Sequence, residues 1–112
     1  MKSSIVVRTN FEGIHQYTNA PEEVDFLRHP HRHIFYVEAE IEVKHDDREL
    51  EFVIVKRAIN RFLFGKPFTV QYSCEQMAKD IIGMLEEKFG ERHITVGVYE
   101  DNENGGKVTN EH

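Results

Sequence analysis

The chain has 112 residues, room for one domain and not for two. Lys and Arg number 14 against 20 Asp and Glu, and the formal net charge of −6 argues against a nucleic-acid surface. Hydrophobic residues at 39% and charged residues at 30% give a soluble globular balance, and the longest apolar runs, Ile5-Val6-Val7 and Phe52-Val53-Ile54-Val55, are too short to cross a bilayer.

Residues 2–11 alternate, with Ile5, Val7 and Phe11 on one parity and Ser4, Arg8 and Asn10 on the other, which predicts a half-buried strand. Extended past Gly13, the same parity puts His15 on the apolar face. Residues 16–28 hold Asn19, Pro21 and several acids and read as a loop with a turn of helix. A second strand is predicted over residues 31–44. Phe35, Val37, Ala39, Ile41 and Val43 share one face, and Glu38, Glu40, Glu42 and Lys44 share the other. His45-Asp46-Asp47-Arg48 reads as a hairpin turn into a third strand over residues 49–55.

Ala58, Ile59, Phe62 and Leu63 stand at helical spacing over residues 56–63, with Gly65 as a stop. Ser73-Cys74-Glu75-Gln76 has the form of a capping box. It opens a second helix whose stripe is Met77, Ala78, Ile81, Ile82, Leu85 and Phe89, and Gly90 closes it. A last strand over residues 92–100 puts Ile94, Val96 and Val98 on one face, with Glu100 on the same parity. The expected architecture is α+β: an antiparallel sheet of about four strands with two helices on one face. It forms a single domain over residues 1–100, and residues 101–112 read as a polar, flexible tail.

Seven histidines is a large share for this length, and His29, His31 and His33 lie within five residues. On a strand, residues two apart point to the same side. His31 and His33 share parity with Phe35 and Val37, so they look toward the apolar face, and His15 reaches that face from the first strand. Three inward imidazoles are the ligand set of a zinc with an open fourth position. The competing reading is of hydrogen-bonded core histidines. Glu100, at the apolar end of its strand, is either where the strand meets water or an anchor for a ligand. A carboxylate accepts two hydrogen bonds side by side, which suits a ring N–H and an adjacent amine, the donor pair of pterins and guanines. The single cysteine, Cys74, excludes an internal disulfide and fits an inert buried thiol in a reducing cytoplasm. No stretch reads as a secretion signal.

Together these segments resemble the family of 6-pyruvoyltetrahydropterin and 6-carboxytetrahydropterin synthases, which adopt the T-fold. Phe11-Glu12-Gly13-Ile14-His15 is similar to the family's F-x-A-x-H, and His31-Arg32-His33-Ile34-Phe35-Tyr36-Val37 to its H-G-H-N-Y-x-V. Tyr72-Ser73-Cys74-Glu75-Gln76-Met77-Ala78 resembles P-T-[SA]-E-N-L-A, and Val96-Gly97-Val98-Tyr99-Glu100 resembles the closing V-x-V-x-E. The resemblance implies a zinc held by His15, His31 and His33. It implies a pterin or related purine-like ligand bound by Glu100 and Glu75, lyase-type chemistry, and a ring-shaped homo-oligomer with sites at subunit interfaces.

The departures fall on the acid–base residues. Leu27 stands where the family carries its catalytic cysteine, and residues 64–69 hold no L-D-H. His29 is the stand-in for the base, with Asp25 as the second candidate. Arg8, Arg28, Arg32, Lys56 and Arg57 are the cations available to a phosphorylated substrate. Three readings stay open: a zinc enzyme, a metal- and ring-binding module without turnover, and a T-fold protein whose histidines are structural. Neither nucleic acid nor a membrane is an expected partner.

Overall fold

The computed structural model describes residues 1–65 and 72–111. The first alternation is realised over a longer span than it predicts. Strand β1 is Ser3–His15, and it pairs antiparallel with β2, His31–Val43, from Ser3 opposite Val43 to His15 opposite His31. Between them lies a 3-10 helix, Glu22–Arg28, kinked at Val24. The parity expected of β1 and β2 holds: Val7, Phe35, Val37, Ala39 and Ile41 are buried, and Arg8, Glu12 and Arg32 are exposed. Ion pairs Arg8–Glu38 at 2.9 Å and Arg32–Glu12 at 2.6 Å knit the outer face across the two strands.

The expected third strand over residues 49–55 does not form. Helix α1 is Phe52–Gly65, and the β-branched run lies in its first turn. Val55, Ala58, Ile59 and Leu63 make a 3.6-period stripe that is buried, and this packing overrides the strand preference of Val53 and Ile54. Glu51 starts the helix: its carbonyl accepts from Ile54 and Val55, and its side chain accepts from the Val53 N–H at 3.3 Å. Most of residues 64–69, the stretch that holds no L-D-H, lies outside the described residues. Helix α2, Cys74–Phe89, opens on the expected capping box, with Ser73 and Gln76 bonded reciprocally, and Gly90 closes it.

Strand β3, Ile94–Glu100, returns beside β2. The tail is a second correction. After a turn the chain forms β4, Gly105–Thr109, paired to β3 from Thr95 opposite Thr109 to Tyr99 opposite Gly105. The sheet order is β1-β2-β3-β4, so the expected number of strands is met with β4 replacing the third strand that became helix. Both helices cover one face, α1 over β1 and α2 over β3 and β4, and the core between them holds Phe35, Ile41, Ile59, Met77, Ile81, Leu85 and Ile94. Among the described residues no helix is long and apolar enough to cross a membrane.

One feature of register positions the site. The β2–β3 pairing ends at Phe35 opposite Glu100, so the His31–Ile34 stretch of β2 runs on past β3 with β1 alone beside it. The histidines lie on this overhang, and β3 delivers its last residue at its edge.

Candidate functional site

The register that pairs His15 with His31 brings the three inward histidines together. Their rings are neighbours, with centroids 5.4 Å apart for His15 and His31 and 4.8 Å apart for His31 and His33. Phe35 forms the floor, 6.0 Å from both His15 and His33 and stacked on Phe11 at 5.1 Å. Gly13 makes room for this floor: a Cβ there would lie 3.1 Å from the Phe35 ring.

Two rings are fixed from behind. His31 Nδ1 lies 2.8 Å from the His29 carbonyl, and His33 Nδ1 lies 2.7 Å from Asp101 Oδ2. A carbonyl and an ionised carboxylate only accept, so both Nδ1 atoms carry the hydrogen, and in a neutral ring the lone pair is then on Nε2. Those Nε2 atoms are buried and have no hydrogen-bond partner, and neither has His15 Nδ1. Buried polar atoms are ordinarily satisfied. Three unsatisfied nitrogens in one cluster, two with a tautomer set by an outer partner, fit the donor set of a zinc ion. Among the described residues no three donors form a ready-made ion cage; the rings are gathered without being drawn onto one point.

Glu100 faces the same nitrogens. Its Oε1 is 3.1 Å from His15 Nδ1, out of line for a hydrogen bond, and its Oε2 is 3.5 Å from His33 Nε2. The structure therefore puts the sequence-derived carboxylate at the histidines themselves. Glu75, on the first turn of α2, lines a cleft of about 680 Å³ together with His15, Tyr17, Gln76 and Lys79. The Glu75 carboxylate rests on Gly106 of β4, where a Cβ would collide with it.

The remaining candidates are placed differently. His29 is exposed and serves the cluster through its carbonyl. Asp25 is exposed on the 3-10 helix, and the Leu27 carbonyl accepts from the Tyr17 N–H at 2.8 Å. Arg8 and Arg32 are paired on the outer face, and Arg28 donates to the Ala20 carbonyl. Cys74 is 7% exposed, and its thiol is pushed up to about 11, first by burial and then by the charges of Glu100 and Glu75. Burial and this shift both disfavour its thiolate at neutral pH.

Asp101 is the residue at the histidine cluster that the sequence did not single out. The His33 hydrogen bond, and then one from the Ile34 N–H, hold its carboxyl below the usual range. Its only signal in the sequence is an acid directly after Glu100, in a segment that composition assigns to the tail.

A solved structure of 6-pyruvoyl tetrahydropterin synthase from Plasmodium falciparum has a similar fold, with a TM-score of 0.70 over 97% of this chain and 98% of that chain. The two sequences are 14% identical, so the likeness is one of fold. No protein-family model matches the sequence, and no curated protein matches it.

Proposed function

We propose that the protein binds zinc through His15, His31 and His33 and, in the adjoining cleft, a pterin or related purine-like ring on which it carries out lyase-type chemistry. The observation that supports this most is the set of buried nitrogens on the three histidines that make no hydrogen bond, two of them with the opposite ring nitrogen tied down. The fold shared with a pterin synthase supports the ligand class.

Each residue has a part in this reading. The His29 carbonyl and Asp101 hold the rings of His31 and His33 in the ligating tautomer. A zinc ion bound there would act as a Lewis acid on a ligand oxygen. Glu100 accepts the ring N–H and amine, which moves its carboxylate off the histidines, and Glu75 offers a second acceptor across the cleft. Phe35 closes the floor against water. His29, exposed beside the cluster, is the candidate proton acceptor. The two open sheet edges, β1 and β4, favour the homo-oligomer that the resemblance implies.

The metal is tested on tag-free protein by elemental analysis, in parallel with His31→Ala. The expected content is about one zinc per chain in the wild type and a loss of most of it in the variant. A metal-free wild type, even after zinc is supplied, overturns the reading and leaves the histidines structural.

A second reading is favoured by Leu27 and by Cys74, whose high pKa removes the chain's single thiol from acid–base work. Here the same site binds metal and ring without turnover. Pterin and deazapurine-precursor substrates separate the two. Turnover that His29→Ala abolishes while ligand binding persists supports the enzyme, and binding without turnover in the wild type supports the module.

A further inference from the structure

Away from the histidines, the outer side of the two helices carries a groove of about 340 Å³. Its apolar lining is Ile54, Ala58 and Phe89, and its polar lining is Arg57, Arg61 and Lys88. Arg57 and Arg61 are four apart on α1, so like charges sit one helical turn apart, an arrangement that costs helix stability unless an anion answers it. The sheet's outer face handles its cations differently: Arg8 and Arg32 each have a carboxylate across the strand. Among the described residues the groove cations have no such partner. On a chain of net charge −6, a cationic groove is a local inversion of the surface.

The same chain presents the complement. The 3-10 helix Glu22–Arg28 puts Glu22, Glu23 and Asp25 in its first turn, all exposed, and Phe26 projects beside them with 67% of its surface in water. That is three carboxylates and one aromatic anchor, against three cations and an apolar floor. Exposed aromatics flanked by complementary charge are the usual anchors of protein contacts.

We propose that the α1–α2 groove of one protomer receives the acidic 3-10 segment of a second copy, with Phe26 seated against Ile54 and Phe89 and the acids facing Arg57, Arg61 and Lys88. Groove and segment are different surfaces, so the contact is head-to-tail and can extend from copy to copy. It uses none of the three clustered histidines and no sheet edge.

The test is sedimentation velocity of the full chain over a range of concentrations, at low and high salt. The wild type is expected to show an association that weakens at least tenfold between low salt and about 0.5 M salt, because exposed charge pairs are screened there while backbone pairing at sheet edges is not. Two charge variants follow: Glu22→Lys with Glu23→Lys on the segment, and Arg61→Glu with Lys88→Glu in the groove. Each alone should weaken the association at least tenfold. Mixed together they should restore it, since the basic segment of one meets the acidic groove of the other. Phe26→Ser should weaken it with no change in charge, and all these positions are exposed, so the fold does not depend on them. A wild type with no salt-sensitive association overturns the proposal. So do variants that associate like the wild type, or a mixture that fails to recover. Zinc content is unchanged in every variant, so failure here and failure of the metal reading are told apart.

Discussion

His33 Nδ1 donates to Asp101 Oδ2 at 2.7 Å, across 68 residues of sequence. The bond exists because β3 ends on two acids in a row. Glu100 pairs with Phe35 at the last rung of the sheet, and Asp101 turns back, its N–H donating to the Ile34 carbonyl while its Oδ1 accepts from the Ile34 N–H. Neighbouring carboxylates thus take opposite sides of one imidazole. Asp101 holds the Nδ1 side, and Glu100 faces the Nε2 side at 3.5 Å.

If the histidines hold zinc as proposed, that division makes Asp101 a positioning residue for the metal. Asp101 has a φ of +51°, a left-handed conformation that Asn also tolerates. Asp101→Asn should therefore keep the turn and remove the charge behind His33. Loss of an outer partner of a ligating histidine ordinarily lowers metal affinity about 10- to 100-fold. Competition against a chromophoric chelator should show a drop of about tenfold or more, with the circular dichroism unchanged. Equal affinities in the variant and the wild type would leave Asp101 a turn residue only.

Cys74 gives a prediction at alkaline pH. Its folded thiol is held at about 11 against an ordinary 9.0, chiefly by burial. A raised thiol pKa contributes stability that is intact below about pH 9 and is lost as pH rises through about 11, because the unfolded chain ionises first. The loss should be on the order of 2 kcal/mol. Urea midpoints of the wild type should fall over this window by more than those of Cys74→Ala. At pH 8, iodoacetamide should label the unfolded chain and spare the folded one. Rapid labelling of folded protein would contradict the burial.

Where one face is wet, the sequence was legible to the residue. Period two in β1 and β2 put His15, His31 and His33 on the apolar side, and the structure gathers them there. The capping box at Ser73 was equally plain. Phe52-Val53-Ile54-Val55 was not, because a short apolar run fits a strand or a helix turn, and the choice was made by the distant surface that Val55 and Ile59 bury. The tail was misread for a related reason. Gly105 and Gly106 have the composition of a loop, yet they are the residues that let β4 close on β3. Asp101 was invisible because its role depends on where β3 stops against β2, a fact of tertiary register.

Gly105 tests that account of β4. A Cβ there would collide with the Val98 carbonyl, which is backbone and cannot rotate away, and it would lie 2.7 Å from the Tyr99 Cα. Gly105→Ala should cost about 1–3 kcal/mol through strain at the β3–β4 rung. Hydrogen exchange should show the loss first at the amides of residues 105–109. An unchanged urea midpoint would mean that β4 contributes little to the fold.

Arg92 joins three elements and carries the last prediction. Its side chain, 8% exposed, donates to the Glu42 carbonyl on β2, to the Phe89 carbonyl at the end of α2 and to Glu49 Oε1 at 2.7 Å. Removing a buried cation with this many acceptors leaves carbonyls and a carboxylate unanswered, so Arg92→Met should destabilise the fold by about 2–4 kcal/mol. The pair also fixes an acid limb. The Arg92 hydrogen bond, and then one from the Lys44 N–H, hold the Glu49 carboxyl below its ordinary 4.5. A depressed carboxyl contributes stability that is present above its unfolded pKa and is lost as pH falls through the lower folded value. Urea unfolding between pH 7 and pH 3 should therefore be steeper in pH for the wild type than for Glu49→Gln, which keeps an acceptor for Arg92 and cannot titrate. Parallel pH profiles for the two proteins would show that the clamp acts through its neutral hydrogen bonds alone.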